Sequence, residues 1–141
     1  IFRQKDLSPQ ETCMCWGIAC GDGWYSLIDT LCENIQMRVN NVNRARKHRI
    51  ENNSGITAVV NGEIWTPPDE EIMNVEAVQV KEKYGGLRFY SYGGDQYVDG
   101  LISMAESMSY LICTECGNPS KPQKSRGWIY TRCNDCVDTN N

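Results

Sequence analysis

Four cysteines near the C-terminus constrain this chain more than any other feature. Cys113 and Cys116 form one C-x2-C pair, Cys133 and Cys136 form a second, and 16 residues separate the two pairs. A pair with this spacing directs two thiolates at one centre from a single tight turn, so two pairs supply the four ligands of a tetrahedral Zn²⁺ site. Because such a site leaves no position open for water, we expect one zinc ion with a structural role. Disulfides, free thiols or bound iron are the alternatives.

The other four cysteines match no metal-site template. Cys13, Cys15, Cys20 and Cys32 follow the pattern C-x-C-x4-C-x11-C, with His48 as a possible further ligand. A second metal site is one interpretation, and independent buried or free thiols are the one we favour. Cys32 lies on an apolar helical stripe and is expected in the core.

Composition indicates one folded domain. The chain has 141 residues, of which 40% are hydrophobic and 23% charged, and its cysteine content of about 6% is below that of a disulfide scaffold. No apolar run reaches membrane-spanning length, so no membrane partner is expected. We divide the chain into an α+β core with an irregular N-terminal segment (1–112), a zinc-ribbon-like element continuous with it (113–136) and a tail (137–141).

Apolar periodicity predicts two main helices. The first begins near Asp22, which is placed to act as its N-cap, and Asn40-Asn41 is a point where it either continues or breaks. Asp95 is expected to cap the second helix, which leads directly into Cys113. The two buried faces are Trp24, Leu27, Ile28, Leu31, Cys32 and Ile35 in the first helix, and Val98, Leu101, Ile102, Ala105, Met108 and Ile112 in the second.

Turn signals predict two hairpins between these helices. Strands at 56–60 and 63–66 flank Asn61-Gly62, and strands at 75–82 and 87–92 flank Tyr84-Gly85-Gly86. The expected fold class is therefore α+β: a small antiparallel sheet of two hairpins packed with two main helices, plus the C-terminal four-cysteine zinc-ribbon-like element.

Positive charge is concentrated in two blocks, although the net charge of −4 argues against a protein that coats nucleic acid. The first block either meets phosphates or an acidic protein surface, or is a solvated helix end, which we favour. The second either presents cations to nucleic acid or offsets the negative zinc–thiolate centre. Trp128 and Tyr130 beside it either stack on bases or pack the ribbon on the core. The candidate residues are Arg44, Arg46, Lys47 and Arg49 in the first block, and Lys121, Lys124 and Arg126 in the second.

Catalytic motifs are missing from the sequence. His48 is the single histidine, and no sequence motif sets a Ser or Cys in a catalytic arrangement with it. The glycine pairs match no phosphate-binding loop. We therefore predict a protein that is not an enzyme, with an enzyme lacking a recognisable motif as a remaining alternative.

Two stretches resemble a known group of proteins. The string Gly-Asp-Gly-Trp-Tyr-Ser-Leu-Ile at 21–28, Lys-Glu-Lys-Tyr-Gly-Gly-Leu-Arg-Phe-Tyr at 81–90 and the two cysteine pairs are similar to small uncharacterised proteins of tailed phages and bacterial prophages. The likeness covers most of 20–136 and leaves out Cys13 and Cys15. It implies an accessory role in the cytoplasm of the bacterial host, exerted by binding a host protein such as a defence enzyme, and no particular reaction.

The second stretch also has the composition of a binding surface. Lys81, Lys83, Arg88, Tyr90 and Tyr92 bring cations and amphipathic aromatic rings to one hairpin. A solvated sheet face with lysines that protect an edge strand is the alternative. Our hypothesis is a zinc-stabilised protein that binds a host macromolecule, with a protein as the first candidate and inhibition of a host or defence factor as the effect. The alternative is a nucleic-acid-binding zinc ribbon, and the oligomeric state is left open.

Overall fold

Two long helices and three small sheets form the described part of the chain. A computed structural model describes residues 1–52, 58–60 and 62–137, so residues 56–57 of the first expected strand and Asn61 of the expected Asn61-Gly62 turn lie outside the described residues. The α+β class and the ribbon-like C-terminal element are confirmed. The helices are α1 (Tyr25–Asn52), α2 (Gln96–Ser109) and α3 (Asn134–Val137), and the strands are β1 (Ile18–Ala19), β2 (Ala58–Val60), β3 (Glu63–Trp65), β4 (Glu76–Lys83), β5 (Gly86–Tyr92), β6 (Pro122–Ser125) and β7 (Trp128–Thr131).

Both predicted hairpins form, and they lie in separate sheets. Strands β4 and β5 pair antiparallel, and the short β1 adds to β4 in parallel, which gives the order β1-β4-β5. Strands β2 and β3 form a two-stranded sheet of their own, as do β6 and β7. The first hairpin does not join the larger sheet because β1 occupies the free edge of β4 and side chains of α2 occupy the free edge of β5.

Helix α1 begins later than the expected N-cap implies. A 3₁₀ turn at Asp22–Trp24 precedes it, and Gly21 occupies the cap position without a side-chain hydrogen bond, so the assignment of Asp22 as N-cap was wrong. The first amides are already used, because Gly23 N donates to Thr114 O and Trp24 N donates to Gly21 O. The helix then continues through Asn40-Asn41, since Val39 and Val42 on either side are buried in the core.

Helix α2 is capped as expected. Asp95 Oδ1 accepts a hydrogen bond from Val98 N at 3.1 Å, and Asp95 Oδ2 pairs with Arg38 Nη2 at 2.8 Å. The helix ends at Ser109 and not at Cys113, because the chain turns through 110–112 and Cys113 N donates instead to Asn118 O.

The core lies between the two helices and the inner face of the β4–β5 hairpin. Leu87 and Phe89 of β5 point into it, as the strand alternation predicts. The hairpin therefore turns its other face away from the core. Although α1 has 28 residues, neither it nor any other described helix is long and apolar enough to cross a membrane. The remaining buried apolar side chains include Trp24 from the 3₁₀ turn before α1, Ile28, Leu31, Ile35, Val39 and Val42 from α1, Val98 and Ala105 from α2, and Met14 and Val80.

Candidate metal centre and the adjoining hairpin surface

The four C-terminal cysteines are positioned to hold one metal ion. The Sγ atoms of Cys113, Cys116, Cys133 and Cys136 all lie within 4.8 Å of one another, and the sulfurs of Cys116 and Cys133 are 3.4 Å apart. A tetrahedral ion with bonds of about 2.3 Å to sulfur holds its ligands about 3.8 Å apart, within the range observed. Four cysteines fill a tetrahedral coordination shell, so an ion held here has no position open to water.

Tight turns bring each pair of sulfurs together. Gly117 N donates to Cys113 O at 3.0 Å in the first pair, and Cys136 N donates to Cys133 O at 3.0 Å in the second. Gly117 has a φ of +79°, a conformation that glycine adopts without steric cost. These local hydrogen bonds point the thiols of each pair at the same centre.

The electrostatics of the cluster favour a bound cation. Burial acts to raise the pKa of the Cys113 thiol, but backbone N–H groups of Cys116, Cys133 and Glu115 donate to its sulfur and lower the pKa to about 6. The neighbouring sulfurs of Cys116 and Cys133 hold the pKa of the Cys136 thiol far above its ordinary value. Four thiols this close together ionise fully only when a cation compensates the repulsion. The cluster thus has the chemistry of a metal site.

The first cysteine turn packs directly on the start of α1. Gly23 N donates to Thr114 O at 2.9 Å, and Trp24 Nε1 donates to Ile112 O at 2.8 Å. A Cβ atom on Gly21 would overlap the Thr114 carbonyl, and one on Gly23 would overlap the Cys113 carbonyl. The glycines of the Gly-Asp-Gly-Trp stretch therefore allow two backbone segments to touch.

The β4–β5 turn packs on the other side of the ribbon (residues 113–136). Tyr84 and Gly85 have φ values of 53° and 77°, which fits the two-residue type I′ turn that a tight hairpin favours. The fully buried Thr131 of β7 donates its hydroxyl proton to Gly85 O at 2.6 Å, and its carbonyl accepts from Thr114 N at 2.9 Å. Both stretches that carry the sequence resemblance thus contact the metal-binding element.

Helix α2 completes the edge of β5. Ser109 Oγ accepts a hydrogen bond from Leu87 N, and Glu106 Oε1 accepts one from Phe89 N, both at 2.9 Å. Gly86 leaves room for the ring of Tyr110, which a Cβ atom would strike. The Tyr110 hydroxyl accepts from Arg88 Nη2 at 2.9 Å, and this hydrogen bond raises the pKa of the Arg88 guanidinium.

The hairpin candidates share one surface. In the β4–β5 ladder, Lys81 lies opposite Arg88 and Lys83 lies opposite Gly86. These cations therefore lie on the face that points away from the core, together with Tyr90. The Lys81 ammonium is 5.8 Å from the Tyr90 ring centroid, within the range of a cation–π contact. We call this surface the outer face. It consists of Glu76, Gln79, Lys81, Lys83, Arg88, Tyr90 and Tyr92.

The basic block at the end of α1 lies elsewhere. At about 1.5 Å of rise per residue, Arg44 is about 30 Å along the helix from the ribbon. Arg46 Nε donates to Asp69 O at 2.7 Å and Arg49 pairs with Asp69 Oδ1, while Lys47 pairs with Glu51 at 3.7 Å. These contacts tie the block to its own helix and to the loop at 69, and it does not join the outer face.

The ribbon block is exposed on the β6–β7 hairpin. Lys121, Lys124 and Arg126 all face solvent. Side chains alternate along β7, so Trp128 and Tyr130 lie on the opposite face from Ile129 and Thr131. Ile129 and Thr131 approach Gly85, whereas Trp128 points outward and is 78% exposed. Trp128 therefore does not pack the ribbon on the core.

The N-terminal segment is the part of the surface that sequence reasoning missed. Its backbone follows β4, since Ala77 N donates to Ile1 O at 2.9 Å and Thr12 Oγ1 donates to Val78 O at 3.3 Å. A groove of about 500 Å³ opens between this segment and the outer face. The one local signal was the Ser8-x-x-Glu11 spacing, whose side chains are hydrogen-bonded at 2.7 Å and fix a turn there.

The remaining cysteines do not form a comparable cluster. Among the described residues, the C-terminal four are the one group of three or more Cys, His, Asp or Glu side chains close enough to hold a metal. Cys13 is exposed, whereas Cys20 and Cys32 are half-buried and line an apolar pocket of about 440 Å³. Burial, followed by nearby carboxylates, raises the pKa of the Cys20 thiol to about 11, and burial raises that of Cys32 to about 11.

Comparison of the chain with protein-family models, with curated proteins and with solved structures gave no match. The family and the activity of a relative therefore contribute nothing to the assignment of function.

Proposed function

We propose that this protein acts by binding another protein through the outer face of the β4–β5 hairpin, and that a structural zinc ion holds that hairpin in place. The observation that carries the proposal is the contact between Thr131 and Gly85, which ties the hairpin turn to the metal-binding ribbon. The rest of the outer face combines exposed tyrosines with cations, the residue types enriched at the energetic centres of protein interfaces.

Zinc is the ion we assign to the four thiolates. Sulfur ligands select soft or borderline ions, and four cysteines in two C-x2-C pairs are the donor set of structural zinc. When bound, the ion supplies folding free energy and no reactive water, because all four positions belong to protein sulfurs.

A protein partner is favoured over nucleic acid by the charges. The ribbon has four cations, two acids and, once loaded with zinc, a metal–tetrathiolate centre of charge −2, so it carries no net charge. A phosphate-binding surface needs a clear excess of cations. The outer face has a small excess, which suits an acidic patch on a protein.

The setting of this function follows from the sequence resemblance. Both resembling stretches contact the ribbon, and the second, at 81–90, contains Lys81, Lys83, Arg88 and Tyr90 of the outer face. We propose a phage-type accessory protein that works in the bacterial host cytoplasm. Its partner is a host protein, and its effect is inhibition of a host or defence factor.

Site-specific photo-crosslinking in bacterial cells tests this function. A photoreactive phenylalanine analogue at the position of Tyr92, on the outer face, should capture one host protein. The same analogue at Tyr25 is the control, because Tyr25 is about as exposed, 71% against 67%, and lies on α1. Equal capture of the same protein from both positions, or no capture from Tyr92, would contradict the proposal.

Nucleic-acid binding is the second candidate, favoured by one observation. Trp128, which pairs with Ser125, is exposed next to the β6–β7 turn that carries Arg126, and an exposed aromatic ring near a cation is a platform for stacking bases. Titration of the zinc-loaded protein into a labelled single-stranded oligonucleotide tests it. Tight binding at low salt that weakens steeply with added salt, and that Trp128→Ala abolishes, would favour this candidate over the first.

A further inference from the structure

The groove beside the outer face is large enough to hold part of a ligand, and two exposed tyrosines line it. Tyr90 and Tyr92 form its floor on one side, and Leu7, Pro9 and Gln10 form the opposite wall. Tyr90 is 45% exposed, Tyr92 is 67% exposed and Leu7 is 42% exposed. Its volume of about 500 Å³ lies within the range of ligand sites. The protein therefore leaves a groove with exposed tyrosine rings and polar side chains uncovered along its hairpin.

A ligand in this groove does not extend the sheet. Residues Ile1 and Ile18–Ala19 occupy the free edge of β4, and side chains of α2 accept the free N–H groups of Leu87 and Phe89 on β5. Strand addition needs a row of unpaired backbone groups at an edge. Recognition must instead come from side chains on the face of the sheet.

Side-chain recognition on an aromatic face suits a polyproline II segment. Such a segment has no internal hydrogen bonds and is already extended, so little conformational entropy is lost when it binds. Tyr90 and Tyr92 are two residues apart on one strand and so about 7 Å apart, which leaves a slot that a proline ring can fill. The amides of Gln10 and Gln79 line the same groove and are able to donate to ligand carbonyls.

The two ends of the outer face differ in charge. Beyond Tyr90, the outer face continues into Lys81, Arg88 and Lys83 at the turn end. Glu82, the acid between the lysines, lies on the other face and accepts from Gly85 N. At the opposite end, the Glu76 carboxylate is paired with Arg3 at 3.6 Å. The turn end thus complements a carboxylate on the ligand.

We propose that the groove binds an extended, proline-containing segment of the partner protein, with proline at Tyr90 and Tyr92 and an acidic side chain at Lys81 and Arg88. This inference rests on the proposed function and specifies the chemistry that the same surface recognises. From Tyr92 to Arg88 the face is about 13 Å long, enough for about four extended residues of the ligand.

Selection from a random library of linear dodecapeptides displayed on a surface tests the proposal. The target is the full-length, zinc-loaded chain, and enriched sequences are synthesised with a fluorophore and measured by fluorescence anisotropy. We expect enriched peptides to carry an acidic residue a few positions from proline. Failure to enrich any peptide, or enrichment of peptides without proline, would overturn the proposal.

Matched variants locate the binding. Tyr90→Ala and Tyr92→Ala should each weaken the selected peptide about tenfold or more, as loss of an aromatic contact at the centre of an interface does, while Tyr25→Ala should leave its affinity unchanged. Lys81→Glu should weaken it, and Lys124→Glu on the ribbon should not. Equal affinity for wild type and both groove tyrosine variants would refute the assignment, and circular dichroism checks that each variant is folded.

The peptide selection and the photo-crosslinking in cells test different claims, so the failure of one can be told from the failure of the other. If Tyr92 captures a host protein in cells but no peptide is selected, the partner presents a folded surface, and only the peptide inference is wrong. If neither experiment gives a partner, the proposed function is wrong as well. If the peptide binds and competes with capture at Tyr92, both stand.

Discussion

At the scale of single residues, glycines decide where the backbone segments of this molecule touch. Gly21 and Gly23 lie against the carbonyls of Thr114 and Cys113, and Gly86 lies under the Tyr110 ring. None of these three has a positive φ, so the requirement is for space and not for an unusual backbone conformation. A side chain as small as alanine would separate the metal-binding turn from α1.

Substitution of Gly23 tests this directly. Gly23→Ala should destabilise the metal-loaded protein by about 2–3 kcal/mol, because the new methyl group collides with the backbone of the cysteine turn. Gly100→Ala in α2 is the matched control, since nothing lies within 4 Å of its Cβ position, and alanine there should stabilise by about 0.5–1 kcal/mol. Urea unfolding measures both, and a Gly23→Ala variant as stable as wild type would contradict the packing.

The half-buried thiols predict a fall in stability at alkaline pH. The pKa of Cys20 and that of Cys32 are raised to about 11 in the folded chain, from an ordinary value of 9.0. A raised pKa means that the folded state holds the proton more tightly than the unfolded state does. This contribution is complete below about pH 9 and is lost as the pH rises toward 11.

Urea midpoints from pH 8 to 11, in a phosphine reductant, measure this effect. The double variant Cys20→Ala with Cys32→Ala should lose less stability over that interval than wild type does. Cys13→Ala, at an exposed cysteine, should follow wild type. Parallel curves for the double variant and wild type would rule out the contribution.

At the scale of elements, the edge of β5 shows how a short hairpin is held without further strands. Two side chains of α2, Ser109 and Glu106, accept hydrogen bonds from the backbone N–H groups of Leu87 and Phe89. In a larger sheet, carbonyl groups of a neighbouring strand would accept them. A buried N–H without a partner costs about 1–3 kcal/mol, so these contacts matter to the sheet. They also close the edge to pairing with another chain.

Removal of one of these acceptors has a defined cost. Ser109→Ala should destabilise the protein by about 1–3 kcal/mol and speed hydrogen exchange at the Leu87 amide, because that N–H loses its acceptor in a buried position. Ser107→Ala, at an exposed serine of the same helix, should change stability by less than about 0.5 kcal/mol. Equal effects of the two substitutions would show that the Ser109 hydroxyl does not hold the strand.

At the scale of the whole molecule, the ribbon connects elements that are far apart in the chain. Its first cysteine turn packs on the start of α1, and its last strand packs on the β4–β5 turn. Loss of the metal would release both contacts together. We therefore expect the metal to stabilise the core and the outer face as well as the ribbon itself.

Cys116→Ser measures how far this coupling extends. The variant should lose its metal ion, and the helical circular dichroism signal should melt at least about 10 °C below that of wild type, because the free energy of metal binding contributes to folding. Cys13→Ser removes another exposed cysteine and should leave metal content and melting unchanged. Metal analysis accompanies both melts. An unchanged helical melt after loss of the metal would mean that the ribbon is a separate appendage.

The sequence by itself determined the features that depend on near neighbours. Helical stripes, the Asp95 cap, the Tyr84-Gly85 turn and the two cysteine pairs all involve residues within a few positions of each other. Such patterns reflect the geometry of one turn or one strand, which a short window contains. Asp22 failed as a cap because Thr114, 91 positions from Gly23, accepts the hydrogen bond of the Gly23 N–H.

Only the tertiary structure decided which of these local features meet. Gly23 contacts Thr114, Gly85 contacts Thr131, and the N-terminal segment lines the groove beside Tyr90. The tertiary structure also separates the two basic blocks. The block at the end of α1 contacts the loop at Asp69, and the other block is exposed on the ribbon. Contacts of this kind arise from the packing of whole elements around one core, and no local pattern of residues specifies them.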